Sequence, residues 1–231
     1  MFMPLFDPTI ILLLPALVLA LWAQNKVMSA YRRYSRIPSS SGLTGAQTAR
    51  RILDRFGLQD VRVEAAQGTL SDHYDPLKRV VRLSPDNYSR PSLAAMAIAA
   101  HEVGHAIQHK EGYAALKVRH AIVGPVQFGS WLAFPLFFIG LLFASPAMMD
   151  IGIVLFSIAV LFHLVTLPVE FDASRRAIAI LSTDGYVAPE EAAGARKVLS
   201  AAAWTYVAAA TMALLQLVRL ILLRGVFGGD R

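Results

Sequence analysis

Four stretches of the chain are apolar over a length that can cross a lipid bilayer, and they constrain the fold more than any other feature. A transmembrane helix needs about 20 consecutive, mainly apolar residues. The stretches that meet this requirement run approximately over residues 4–23, 123–144, 147–168 and 200–223. Apolar residues make up 55% of the chain and charged residues 16%, which is too apolar for an ordinary soluble enzyme. We therefore predict a mainly α-helical integral membrane protein with about four transmembrane helices.

The stretches differ in how clearly they predict a span. Residues 122–168 contain a single acidic residue, Asp150, and neither lysine nor arginine, so helices buried in a soluble core do not explain the two middle stretches. Ser-Pro at 145–146 predicts a tight turn between them. Gln216 and Arg219 interrupt the last stretch, so a re-entrant or surface helix is an alternative there.

The distribution of basic residues predicts the orientation in the membrane, because lysine and arginine near the ends of spans are retained in the cytoplasm. Asp7 lies at the start of the first stretch and basic residues follow the stretch, the reverse of a cleaved signal peptide. We predict an uncleaved multi-pass protein of the cell membrane in which residues 24–122 and 169–200 face the cytoplasm. The net charge of +6 reflects this bias, and we expect no nucleic-acid partner. The basic residues concerned are Lys26, Arg32, Arg33, Arg36, Lys110, Lys117, Arg119, Arg175, Arg176, Arg196 and Lys197.

The first predicted cytoplasmic region has the pattern of a small α+β domain. Apolar residues recur at helical spacing over 46–56 and predict an amphipathic helix. Residues 61–64 and 80–83 alternate like strands, and residues 71–76 between them are rich in turn formers. We therefore expect a small antiparallel sheet, with the aspartates of the intervening segment capping turns.

The run His101-Glu102-Val103-Gly104-His105 contains candidate metal-binding and catalytic residues. On a helix, positions i and i+4 share a face, so His101 and His105 can bind one metal ion while Glu102 acts as general base for a water molecule. The chain has no cysteine, so a zinc site would use nitrogen and oxygen ligands. The alternative is a chance pair of core or surface histidines, but Glu102 would be costly in so apolar a helix without a partner. The run predicts a Zn²⁺-dependent hydrolysis of peptide bonds.

Glu170 is the best candidate for a third ligand. It lies just beyond the third stretch, and two predicted spans separate it from His105, which returns the chain to the same side of the membrane. The alternative is an interfacial acid neutralised by Arg175 or Arg176. Asp172 is the second candidate, as a ligand or as the partner of a metal-binding histidine.

The other histidines are less suited to bind the metal. His109 is one turn beyond His105 and is expected to be a neighbour of the site or a surface residue, and His163 is expected to be structural. His73 and His120 have no ligand-like spacing. His73 or Tyr74 could stabilise the oxyanion of a peptide substrate bound along an edge strand.

Five segments of the chain, at residues 39–45, 71–76, 99–109, 167–176 and 201–210, stand out. They resemble segments of a known family, the YugP-type neutral zinc metallopeptidases, which are bacterial multi-pass membrane proteins. The order of metal helix, two spans and Glu170 is also distantly similar to HtpX-type and CAAX prenyl proteases. This resemblance implies a zincin-like catalytic domain and Glu170 as the third ligand. Those distant relatives have an aspartate where this chain has Ser174, so the residue that supports the ligands, Asp172 or Ser174, stays open.

Together these features predict that residues 1–231 form one membrane-embedded zinc endopeptidase domain, with a bilayer around it and a peptide or membrane protein as substrate. His101, His105 and Glu170 would bind zinc, and Glu102 would be the general base. The alternative is a non-catalytic membrane scaffold or partner subunit with a structural zinc site. A transporter is disfavoured because the spans contain few ionisable residues.

Overall fold

The computed structural model of the protein describes residues 8–227 and confirms the predicted class, with four helices long and apolar enough to cross a membrane and one small sheet in that part of the chain. The first predicted span begins at residue 4, so its start lies outside the described residues. The elements are a 3₁₀-helix Pro8–Leu13, α1 Leu14–Tyr34, α2 Gly45–Arg55, β1 Arg62–Ala65, β2 His73–Asp75, β3 Val80–Leu83, α3 Pro85–Ser89, α4 Leu93–Glu111, α5 Ala114–Leu142, α6 Pro146–Thr183 and α7 Pro189–Phe227.

Contacts divide the described chain into two compact units. Residues 8–22, 118–167 and 206–227 form the first, here called the helical unit, and residues 23–117 and 168–205 form the second, here called the α+β unit. The helices α1, α5, α6 and α7 each contribute to both. Each unit has its own apolar core.

The helical unit is built from apolar helices joined by the tight turn expected at 145–146, since α5 ends at Leu142 and α6 begins at Pro146. Its core includes Phe137, Met149 and Leu220. Helix α7 continues without interruption through Gln216 and Arg219. The Arg219 guanidinium donates to the Thr9 hydroxyl at 3.3 Å, which gives this cation a polar partner inside the unit.

The α+β unit is organised around α4, whose many alanines allow neighbouring elements to approach it closely. Fourteen of its 19 residues are buried. The helix begins at the N-cap Ser92, whose hydroxyl accepts a hydrogen bond from the amide of Ala95 at 3.2 Å, and it ends at Gly112, which adopts φ 66°. Helix α2 matches the predicted amphipathic helix and begins with a capping box between Thr44 and Gln47.

The three-stranded sheet has the order β1-β3-β2 and is mixed, so the prediction of an antiparallel sheet is wrong for one of its two pairs. Strand β1 is parallel to β3, and β2 is antiparallel to β3. The reason is the segment expected to be only a turn: His73–Asp75 forms β2, so the chain reverses direction twice between β1 and β3. Strand β3 has the predicted bounds, whereas β1 begins one residue later than predicted.

Candidate metal centre

The site depends on a close approach between α4 and α6 within the α+β unit. At Gly104 an added Cβ atom would lie 2.9 Å from the carbonyl oxygen and 3.2 Å from the Cα of Ala173. Such contacts are too short for any residue larger than glycine without movement of one backbone. Gly104, in the middle of the predicted metal-binding run, therefore allows the two helices to come close enough for their side chains to meet.

The structure brings His101, His105 and Glu170 together. The Oε2 atom of Glu170 lies 3.2 Å from Nε2 of His101 and 3.5 Å from Nε2 of His105. One ligand atom from each residue lies within 4.8 Å of the others, and no other such group of histidines and acids occurs within the described chain. Donor atoms about 2.1 Å from a tetrahedral zinc ion lie about 3.4 Å from one another, so the observed spacings fit a shared metal ion.

Gln108 fixes the orientation and tautomer of His105. Its amide nitrogen donates to the carbonyl oxygen of Val169 at 2.8 Å and to Oδ2 of Asp172 at 2.9 Å. Because both contacts need a donor, the amide oxygen faces Nδ1 of His105 at 3.0 Å and must accept its proton. The proton of a neutral His105 is thereby placed on Nδ1, and the lone pair of Nε2 points toward Glu170.

Ser174 supports the other histidine. Its hydroxyl lies 3.1 Å from Nδ1 of His101, which leaves Nε2 of that ring facing Glu170. The sequence left open whether Asp172 or Ser174 supports the metal-binding residues, and in the structure each of the two contributes to one histidine. Ser174 contacts His101 directly, and Asp172 reaches His105 only through Gln108.

Asp172 helps to connect α4 and α6, and it does not belong to the group of residues that could hold a metal ion. Its carboxylate accepts hydrogen bonds from Gln108, Arg175 and Arg176, the last at 2.6 Å. Arg176 also pairs with Glu111 at the end of α4, at 2.7 Å. This chain of contacts ties α4 to α6 beside the candidate centre.

Glu102 lies on α4 between the two histidines of the candidate centre. Its side chain is buried beside the two histidines, and burial raises the pKa of its carboxyl group above the usual range although the neighbouring imidazoles lower it. Within the described part of the chain its carboxylate has no hydrogen-bond partner. For His105, burial lowers the pKa, but the hydrogen bond and negative charge of Glu170 outweigh it and raise the pKa overall.

The remaining candidates lie outside this group. The Tyr74 hydroxyl is 2.9 Å from Nδ1 of His109, and His73 is exposed with its Nδ1 2.8 Å from the carbonyl oxygen of Ser71. Asp75 caps the turn after β2, as expected, by accepting hydrogen bonds from the amides of Leu77 and Lys78, whereas Asp72 accepts hydrogen bonds from the more distant Ser84 and Asn87. A role for His73 or Tyr74 in oxyanion stabilisation stays a prediction.

Gln108 is the residue that sequence reasoning missed. The available signal was its position three residues after His105 on the same face of the helix, where a buried polar side chain needs a partner. Its full burial, with no exposed surface, shows that the need is met inside the protein.

Comparison with known proteins places the chain among zinc peptidases of membranes. A family model described as "Putative neutral zinc metallopeptidase" matches residues 9–225. A Bacillus subtilis (strain 168) protein named "Putative membrane protease YugP" is 53% identical over 214 residues, which cover 93% of this chain and 95% of that protein. No solved structure shows a significant match.

Proposed function

The chain belongs to the neutral zinc metallopeptidase family, and we propose that it is a membrane-bound zinc endopeptidase. In this proposal His101, His105 and Glu170 bind the zinc ion and Glu102 is the general base. The observation that carries the proposal is the convergence of these three donors within 4.8 Å, beside the buried side chain of Glu102.

The chemistry assigned to the protein follows from the surroundings of Glu102. Zinc, when bound, supplies a Lewis acid that polarises the scissile carbonyl and makes water more acidic. The Glu102 carboxylate accepts a proton from the attacking water as the new C–O bond forms. The protonated Glu102 then donates this proton to the amide nitrogen as the C–N bond breaks, which releases an amine and a carboxylic acid. Its raised pKa suits it to carry a proton between these steps.

The proposed location is the cytoplasmic side of the cell membrane, with polypeptide segments of membrane proteins as substrates, as in protein quality control. The support is the excess of lysine and arginine in residues 24–122 and 169–200. Glu170 follows the third apolar stretch by two residues, which favours a site near the membrane surface.

The test of activity uses the full chain in nanodiscs with an unfolded polypeptide as substrate. We expect cleavage by the wild type, loss of cleavage with a zinc chelator and recovery with added zinc. The Glu102→Gln variant should keep its zinc and lose cleavage, whereas Glu190→Gln, at an exposed glutamate of α7, should match the wild type. Zinc binding without cleavage by the wild type would instead support a structural zinc site in a scaffold.

The orientation in the membrane can be tested by cysteine labelling. Because the chain contains no cysteine, a thiol reagent can label only the single cysteine that is introduced. We expect a membrane-impermeant maleimide to label Ser145→Cys in intact cells and Lys78→Cys only after lysis. Labelling of Lys78→Cys in intact cells would refute the cytoplasmic orientation.

A further inference from the structure

A second feature of the α+β unit lies apart from the candidate metal centre and does not depend on the proposed activity. A cavity of about 420 Å³ opens between the second half of α1 and the early turns of α7. Four basic residues line it, two from each helix, and its lining contains no acidic residue. These residues are Lys26, Arg33, Arg196 and Lys197, and we call the cavity the basic cleft.

The basic cleft continues along α1. A neighbouring depression of about 720 Å³ shares Ser29 and Arg33 with it and adds Arg32 and Arg36. The hydroxyl groups of Ser29 and Ser200 also border the basic cleft, so its walls offer hydroxyl donors as well as cations. The lining thus suits an anion that accepts several hydrogen bonds.

The basic cleft is formed by tight packing and not by loose side chains. A Cβ atom added at Gly194 of α7 would lie 2.8 Å from the ring of Tyr34 on α1, so glycine is required for this contact. Tyr34 is 7% exposed. Farther along the same two helices, the Lys26 ammonium lies 5.4 Å from the centre of the Trp204 ring. The helices that carry the cations are therefore held in place before any ligand binds.

The positive charge of the basic cleft favours the binding of a negatively charged group. No ion pair formed by the described residues involves Arg33, Arg196 or Lys197, although all three are exposed and free to turn toward carboxylates. An orientation signal alone needs only basic residues near the ends of spans and does not require them to converge on one cavity. Cations from two helices around one concavity repel one another, and a bound anion would offset this repulsion.

The sequence of both helices indicates what kind of anion fits. Helix α1 is almost wholly apolar up to Ala23, just before Lys26, and α7 becomes apolar and alanine-rich from Ala201, just after Lys197. A ligand with a phosphate group joined to acyl chains matches both the cations and the apolar segments beside them. We propose that the basic cleft binds the phosphate of an anionic phospholipid head group.

The experiment measures binding to the delipidated full chain in a non-ionic detergent by calorimetric titration. The probes are short-chain phosphatidylglycerol, phosphatidylcholine with the same acyl chains, and inorganic phosphate. The test variant combines Arg33→Gln with Arg196→Gln. The control combines Arg51→Gln with Lys78→Gln, which removes the same charge from exposed positions outside the basic cleft.

We expect saturable binding of phosphatidylglycerol, weakened about tenfold or more in the test variant and by less than about twofold in the control. Phosphatidylcholine should bind much more weakly than phosphatidylglycerol. Unchanged zinc content and helical circular dichroism would show that the test variant is folded. Equal loss in both variants, or no saturable binding of phosphatidylglycerol, would overturn the proposal. Inorganic phosphate that binds as tightly as phosphatidylglycerol would overturn the lipid assignment in favour of a soluble anion.

Discussion

Replacing Gln108 with methionine removes the amide that fixes the ring of His105 and keeps the length of the side chain. Three hydrogen bonds are lost, to Nδ1 of His105, to the carbonyl oxygen of Val169 and to Asp172. Asp172 keeps its two arginine partners, so the main group left without a partner is the buried Nδ1–H of His105. A buried polar group without a partner costs about 1–3 kcal/mol.

The expected loss of zinc affinity follows from the same geometry. When nothing accepts the Nδ1 proton, His105 is free to rotate and to carry its proton on the nitrogen that should face the metal. Loss of such a supporting contact weakens metal binding by about 10–100-fold. This range corresponds to about 1.4–2.7 kcal/mol, similar to the cost of the unpaired group.

The assay is a competition titration of zinc against a chromophoric chelator, with the wild type, Gln108→Met and a matched control. Gln59→Met is the control because it makes the same chemical change at an exposed residue, whose amide donates to the carbonyl oxygen of Asp54. We expect weaker zinc binding in Gln108→Met alone. Wild-type affinity in Gln108→Met would refute the assignment of Gln108 as the residue that positions His105.

Further substitutions test the rest of the centre. Gly104→Ala should lower the free energy of unfolding by about 1–3 kcal/mol, measured by denaturant titration, because the added Cβ meets the backbone of α6. Gly124→Ala, where nothing lies within 4 Å, should be tolerated, and equal losses would contradict the packing argument. Glu170→Ala should abolish tight zinc binding while Asp172→Ala weakens it less, as measured by chelator competition, and the reverse order would refute the ligand assignment. Ser174→Ala should weaken zinc binding modestly, by about 10-fold or less, because His101 keeps its place opposite Glu170.

The sequence predicted the parts of the site that depend on short-range geometry and on counting spans. The spacing of His101 and His105 places both on one face of a helix whatever surrounds it. Glu170 was predicted as the third ligand because two apolar stretches separate it from His105, and the structure brings its carboxylate to both imidazoles. Both arguments use regularities of the chain that need no knowledge of how side chains pack.

The supporting contacts could not be predicted in the same way. Gln108 meets Asp172 and Val169 only because α4 and α6 pack at a particular distance and rotation, which depends on the contact at Gly104. The mixed sheet was missed for a similar reason. The three residues of β2 lie within the segment 71–76, which is rich in turn formers, and their pairing with β3 is a tertiary contact.

The central claim is that His101, His105 and Glu170 hold one zinc ion, and anomalous diffraction at the zinc absorption edge tests it most directly. Crystals of the zinc-loaded protein should show a strong anomalous peak about 2.0–2.2 Å from Nε2 of both histidines and from a carboxylate oxygen of Glu170. Glu102 should lie beside the peak without contacting the metal. A peak coordinated by other residues, or no peak between α4 and α6 in zinc-loaded protein, would contradict the claim.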